Sequence, residues 1–423
     1  MSGDIRPVRG MNDIYGDVAP YWDRVEQAAQ EVLVEYGYRE IRLPLMERTE
    51  LFKRSIGEGT DVVQKEMYTF ESRSGASLTL RPEATASCVR ACLTHGLLHN
   101  QRQRMWYRGP MFRYERPQKG RYRQFHQIGA EAFGFPGPDI DAELIFLCAR
   151  LWSKLGLDDL TLQINSLGTP QSRSLYREKL LDYLQANIDV LDEDSRKRLQ
   201  INPLRILDSK NPALAELIAA APRLTDHLDD ESAQHFDLLQ QLLSDSGIGF
   251  TVNPLLVRGL DYYTKTVFEW ETDKLGAQAA VCSGGRYDGL VTQLGGKPTP
   301  GCGWALGVER LVGLLQLAEV PADPGAPDVY LVMVGSAATR AGMALGERLR
   351  SEVPGLRLVS HCGGGSFKSQ LRAADRSGAA LALILGDEET AGQRIGFKPL
   401  RIDEEQASYS WDELGKRVAA FLN

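Results

Sequence analysis

The sequence has no long apolar run. Hydrophobic residues fill 43% of its 423 positions, yet no stretch approaches the roughly 18 residues that a membrane-spanning helix needs, so no membrane partner is expected. The N-terminus, MSGDIRPVRGMNDIYGD, is broken by charge, Gly and Pro and contains no apolar core of a secretory signal. A cytoplasmic protein is expected. Cysteine is scarce: the six, at positions 88, 92, 148, 282, 302 and 362, form no C-x-x-C pair, which argues against a zinc ribbon or a disulfide framework. The spacing Gly301-x-Gly303-x-x-x-Gly307 misses the dinucleotide fingerprint, and no P-loop G-x-x-x-x-G-K occurs. A nucleotide, if bound, uses another scaffold. His95 and His99 lie four apart in a helical pattern without a third ligand nearby, so they are expected as exposed helix residues, and no metal site of protein side chains is expected.

What is present is unevenly charged. The net charge is −7, a poor match to a general polyanion binder. Between Gln101 and Phe125, however, Arg102, Arg104, Arg108, Arg113, Arg116, Lys119, Arg121 and Arg123 face only Glu115, eight cations against one anion. Such a concentrated segment in an acidic chain points to a phosphate site.

The length calls for more than one core, since cores rarely grow past roughly 250–300 residues. The stretch EVPADPGAPD, Glu319 to Asp328, carries three prolines and a glycine and cannot be regular structure; we place a linker at 321–327. The region 328–423 alternates apolar runs (DVYLVMV, LRLVS, ALALIL) with helical segments at Ala338–Val353 and Ser366–Ser377, which predicts a small α/β domain with a mostly parallel core. In the region 1–320, Trp22, Val25, Ala29, Val32 and Tyr36 recur at helical spacing before the strand-like REIRLPL. Strands are predicted at Ser77–Arg81, Arg104–Glu115, Arg123–Phe133 and Tyr262–Trp270, without βαβ alternation, so an α+β domain with an antiparallel sheet flanked by helices is expected. Helical periodicity over 171–247 predicts an insertion, after which FTVNPLLVRG again looks like strand.

Along the strand after Arg121, residues two apart share a face, so Phe125, Gln127, Gly129 and Glu131 line one side. An aromatic, an amide and a carboxylate on one face are unlike an ordinary core face. The partner strand is expected to bring Arg113 and Glu115 to one side, joined by the basic loop Arg116-Pro-Gln-Lys-Gly-Arg-Tyr. Further on, GCGWALGVERLVGLLQLA reads as a glycine-containing strand entering a helix near Val308, with Arg310 in its first turn.

In their order and separation, the helix and strand ending at Pro44, the segment Phe112-Arg113-Tyr114-Glu115 with its returning strand, and Gly303 to Arg310 resemble the three signature motifs of class II aminoacyl-tRNA synthetases. LVRGLDYYTKTVFEW (Leu256 to Trp270) and CSGGRYDGL (Cys282 to Leu290) are similar to the two peptides that mark histidyl-tRNA synthetases within that class. So is LTLRPEATASCVRA, Leu78 to Ala91, except that Ala84 stands where many relatives carry glycine. The resemblance covers nearly the whole chain. It implies an aminoacyl-tRNA ligase that activates L-histidine with ATP and charges tRNA-His, a homodimer, Mg²⁺ bound with ATP, and an anticodon-binding role for 328–423. A non-catalytic paralogue would be expected to have lost Arg113, Arg258, Glu131 or Arg310, and all four are present.

The resemblance also implies roles. Arg113 and Arg258 would bracket the α-phosphate, with Arg258 also touching histidine. Glu115, Arg121, Phe125 and Arg310, together with Arg113, would bind ATP. Glu83, Ala84, Thr85, Gln127, Glu131, Tyr262, Tyr263 and Tyr287 would bind histidine; strict strand alternation would send one of the two adjacent tyrosines to the core. Arg116 and Gln118 would touch tRNA at the extra 5′ guanosine, and the insertion would cap its acceptor arm.

Overall fold

A computed structural model describes residues 4–422, apart from Gly59, Lys119, Asn202, Asp208, Lys210, Arg258, Gly259, Ala277, Gln278 and Pro324. Arg258, singled out above, therefore lies outside the described residues. The chain divides between Ala322 and Asp323 into two compact units.

In the first unit the strands are β1 (Arg39–Glu40), β2 (Met46–Arg48), β3 (Tyr68–Glu71), β4 (Ser77–Leu80), β5 (Gln103–Phe112), β6 (Gln124–Phe133), β7 (Thr161–Ser166), β8 (Thr251–Val252), β9 (Thr264–Glu271), β10 (Ala280–Arg286) and β11 (Gly301–Gly307). The helices are α1 (Ala19–Glu35), α2 (Thr49–Ile56), α3 (Thr85–Thr94), α4 (Pro138–Leu155), α5 (Pro170–Ala186), α6 (Glu193–Ile201), α7 (Ala215–Ala219), α8 (Asp230–Asp245), α9 (Leu290–Gln293) and α10 (Val308–Leu317). Eight strands form one sheet in the order β1-β5-β6-β11-β10-β9-β7-β8, and β2-β4-β3 form a small second one. In the large sheet only the edge pairs β1/β5 and β7/β8 are parallel. The five inner pairings are antiparallel.

Period-two alternation gives the sheet two unlike faces. Trp106, Ile128, Ala130 and Trp304 point to a core closed by α1, α4, α8 and α10. The apolar stripe of α1, Trp22, Val25, Ala29 and Val32, is buried there. Met105, Tyr107, Met111 and Phe133 point the other way, toward α3, α9 and the helices α5 to α7. Thus α8, although it lies within 171–247, packs with α4 in the first core and leaves α5 to α7 on the opposite face.

Several boundaries differ from the sequence expectations. β5 stops at Phe112 rather than Glu115, because the Tyr114 amide turns away to donate to the Glu66 carbonyl at 2.7 Å. REIRLPL yields only the short β1 before Pro44, and FTVNPLLVRG only β8. α3 ends at Thr94, so His95 and His99 lie beyond it and are exposed loop residues.

The second unit contains β12 (Val329–Met333), α11 (Ser336–Glu352), β13 (Leu358–Ser360), α12 (Phe367–Arg376), β14 (Leu381–Leu385), α13 (Asp387–Ala391), β15 (Arg394–Pro399), β16 (Ala407–Ser410) and α14 (Leu414–Leu422). Its sheet order is β13-β12-β14-β15-β16. The core is mixed rather than mostly parallel: β13, β12 and β14 are parallel, but β15 and β16 return as an antiparallel hairpin.

Asp229 joins α5 to α8. Its carboxylate accepts from Thr169 Oγ1 at 2.8 Å, from the Ser172 hydroxyl, and from the Ser232 amide at 2.8 Å in the first turn of α8. Burial pushes its pKa up, but these donors outweigh that and hold it well below the usual carboxylate range. Asp229→Ala removes an N-cap, a loss of about 1–2 kcal/mol. The expected result is a lower melting temperature and faster hydrogen exchange at the Ser232 amide.

Candidate active site

The side of the large sheet opposite α1 carries a concave site, and Glu131 of β6 lies beneath its lining, holding Thr85, Tyr107 and Tyr287, which line it. Glu131 is 1% exposed. Its Oε1 accepts from Thr85 Oγ1 at 2.7 Å and Tyr107 Oη at 2.9 Å, and its Oε2 accepts from the Tyr287 hydroxyl. Burial raises its pKa to about 8 even though all three hydroxyls favour the charged form. Two glycines make the carboxylate possible. A Cβ on Gly303 would lie 1.9 Å from Glu131 Oε2, and one on Gly129 would lie 2.5 Å from the Tyr107 hydroxyl oxygen.

Glu83 ties the next wall to α3, accepting from the amides of Thr85 at 2.6 Å and Ala86 at 3.1 Å. It is buried, and that burial raises its pKa. Ala84 is the N-cap residue of α3 and is fully buried behind the pocket lining. Gln127 lines the pocket, and its Oε1 is buried without a hydrogen-bond partner among the described residues.

The mouth is cationic. Arg113, Arg121 and Arg310 line it together with Phe125, Glu115 and Glu269. Arg113 Nε donates to the Pro82 carbonyl at 2.9 Å, and its guanidinium lies 5.3 Å from the Phe125 ring centre. Arg121 pairs with Glu115 at 2.6 Å. Arg310, in the first turn of α10, is held by the Gly120 and Ala280 carbonyls. Burial, then the charge of Arg121, pushes the Arg310 pKa down. Three cations held this close favour an anion between them.

Tyr262, Tyr263 and Tyr287 all line the pocket. Both members of the adjacent pair enter it, with ring centres 4.7 Å apart, because β9 starts only at Thr264 and strand alternation does not govern the turn before it. Arg116 and Gln118 do not join the site. They are exposed on the hairpin loop, where Gln118 and Arg121 exchange backbone hydrogen bonds at 3.0 and 2.9 Å.

Sequence reasoning missed Tyr107, which shares its face of β5 with Met105 and Met111 and sits opposite Gly129; the alternation already applied to β6 would have found it. It also missed Arg173, whose Nη1 donates to the Tyr263 carbonyl at 2.8 Å, and Asp141, which binds Arg286 behind the sheet. No local pattern marks either residue.

Because the pKa of Glu131 is raised by burial, the stability it contributes is fully present below the carboxylate's unfolded value of about 4.5 and is lost as pH rises through about 8. Glu83 shifts in the same direction. Glu131→Gln carries no charge to bury, so its melting temperature relative to wild type should rise between pH 5 and pH 8.5. A difference that stays flat across that range in thermal scans would contradict the assignment.

The sequence model of the family described as histidyl-tRNA synthetase matches residues 10–311. The histidine–tRNA ligase of Halorhodospira halophila is 58% identical over 409 residues, covering 97% of this chain and 96% of that protein. That of Hydrogenovibrio crunogenus is 56% identical over 414 residues, covering 98% and 97%. The crystal structure of apo S. aureus histidyl-tRNA synthetase superimposes with a TM-score of 0.82 at 35% identity, covering 98% of this chain and all of that one. With nearly the full length matched at this identity, and with a buried carboxylate beneath an arginine-lined mouth, the chain belongs to the histidyl-tRNA synthetase family.

Proposed function

We propose that this pocket forms histidyl-adenylate and passes histidine on to tRNA, with the imidazole at Glu131 and the phosphates among the arginines. The chain is a histidine–tRNA ligase. Activation joins a histidine carboxylate oxygen to the α-phosphorus of ATP as pyrophosphate leaves; a terminal hydroxyl at the 3′ end of tRNA-His then attacks the carbonyl carbon, and AMP leaves. The observation that carries the residue assignment is the polarity of the site, with a buried acceptor ringed by hydroxyls at one end and three arginines at the other.

Glu131 accepts from one imidazole nitrogen, and Tyr263 serves the other. A site built to pair with both nitrogens rejects analogues that lack them by roughly 10⁴–10⁵, since its buried polar groups would be left unpaired. The histidine amino group lies against Glu83, Thr85 and the unpartnered Gln127 Oε1, with Tyr262 and Tyr287 closing the sides and Ala84 offering only its backbone. Phe125 stacks on adenine and Glu115 accepts from its amino group.

Attack brings two anionic groups together, so cations that act more strongly on the transition state lower the barrier. Arg113 takes one side of the α-phosphate. Arg258 takes the other by its place in the histidine-specific peptide, and Arg121 and Arg310 hold the distal phosphates. The carboxylate of Glu269, which lines the same pocket, is a hard oxygen donor that fits Mg²⁺; bound with ATP, the ion would neutralise phosphate charge.

The chain acts as a homodimer in this reading, supported by the exposed apolar side chains Leu45, Met46 and Phe70 close to the Pro44 motif. Its domains are a catalytic region 1–320 with an insertion over the tRNA acceptor arm, a linker at 321–327, and an anticodon-binding region 328–423. Among the described residues no helix is long and apolar enough to cross a membrane. The location we assign is the cytoplasm, a reading that fits six free thiols.

Histidine-dependent ATP–pyrophosphate exchange is the test. Arg113→Ala and Arg258→Ala should each lower kcat by about 10²–10³, and absence of exchange in the wild type would refute the assignment. Arg116→Ala and Gln118→Ala should leave exchange unchanged and slow transfer to tRNA, as read by aminoacylation assays.

A further inference from the structure

Behind the sheet, on the face turned away from the pocket, lies a buried charged cluster that the reaction does not use. Asp141 of α4 is 1% exposed and Arg286 of β10 is fully buried. Arg286 Nη2 donates to Asp141 Oδ1 at 2.6 Å and its Nε to Oδ2 at 3.2 Å. Asp141 Oδ2 also accepts from Thr266 Oγ1 of β9 at 2.7 Å and lies 2.8 Å from His235 Nε2 of α8. The remaining Arg286 donors go to the carbonyls of Phe135 and Gly137 and to Asp288. Replacing a buried ion pair with apolar groups of equal volume is often neutral or stabilising, so stability alone does not account for this one.

Its position does. The β9/β10 register runs Gly285↔Val267 and then Arg286↔Thr264, so Lys265 and Thr266 are extra residues opposite a single step of β10. This is a bulge, a device that re-aims side chains. Lys265 adopts φ 48°, a left-handed backbone that side-chain-bearing residues resist. Gly285 lets the bulge close, since a Cβ there would lie 2.4 Å from the Thr266 carbonyl oxygen. One carboxylate thus grips both strands of the bulge, Thr266 on one and Arg286 on the other. The residues just outside it are Tyr263 and Tyr287, whose ring centres lie 6.5 Å apart in the pocket.

We propose that Asp141 is a positioning residue for histidine recognition: from the far side of the sheet it pins the β9/β10 bulge and so aims Tyr263 and Tyr287 at the Glu131 end of the pocket. The inference rests on the histidine site assigned above. A slip at the bulge would change the pairing of Thr264 with Arg286 and so displace the adjoining Tyr263 and Tyr287, whereas the ATP wall on β5, β6 and α10 would stay in place.

Pyrophosphate exchange on the full-length enzyme gives separate KM values for histidine and ATP. Thr266→Val keeps the buried shape and removes only the hydroxyl, and Asp141→Asn weakens the grip on both strands. Both should raise the histidine KM about tenfold or more, equivalent to 1.4 kcal/mol or above, while the ATP KM stays within about twofold and Thr266→Ser restores the wild-type value. If Asp141→Asn fails to fold, the Thr266 pair decides. A histidine KM within twofold of wild type in Thr266→Val, a parallel rise in both KM values, or a Thr266→Ser as impaired as Thr266→Val would overturn the proposal. Loss of histidine-dependent exchange on Glu131→Gln, beside an unaffected Thr266→Val, would leave the histidine site standing and reject only the role of Asp141.

Discussion

Glu131 lies inside the large sheet, between β5 and β11, at 1% exposure, where an uncompensated charge would cost several kcal/mol. The hydroxyls that offset this cost arrive from the start of α3, from β5 and from the turn after β10. Each donor must hold its place for the carboxylate to be tolerated, so one residue imposes order on three distant segments. Gly129 and Gly303 belong to the same constraint, since any larger residue would collide with the Tyr107 ring or with the carboxylate. A floor built this way is costly to ionise when empty and receptive to a ligand that brings its own N–H donor.

Charge is segregated along the pocket. The acceptor is buried beneath the lining, while Arg113, Arg121 and Arg310 line the pocket itself, with the Arg113 guanidinium beside the Phe125 ring. This arrangement sets a local cationic patch within an acidic chain of net charge −7: the cations are concentrated on one hairpin and one helix start, and partial burial keeps water from screening them. The Glu115–Arg121 pair limits mutual repulsion among the cations before substrate arrives.

The buried charge pair of Asp141 with Arg286 stands across the sheet from Glu131. The two are linked through the backbone, because Arg286 and Tyr287 are neighbours that face opposite sides. Asp141 is strongly stabilised as a carboxylate: burial opposes ionisation, but Arg286 and His235 outweigh it and bring its pKa to about 2. The back of the sheet thereby keeps an ionised pair, whereas burial on the front raises the pKa of Glu131.

The sequence by itself determined the family and the composition of one pocket wall. Motif order is a property of the chain, and period-two alternation is local, so Phe125, Gln127, Gly129 and Glu131 could be assigned to one face of β6, and the stripe of α1 to the core, before any fold was known. Short-range pattern does not specify which distant segments meet or where a strand ends. Only the tertiary structure decided that β9 begins after Tyr263 and so admits both tyrosines to the pocket, that Tyr107 completes the Glu131 cluster, and that α8 leaves the insertion to pack on α4. It alone joined Asp141 to Thr266 and Arg286, 125 and 145 residues away. Those contacts depend on strand register and helix packing, which the whole chain settles cooperatively and no local window contains.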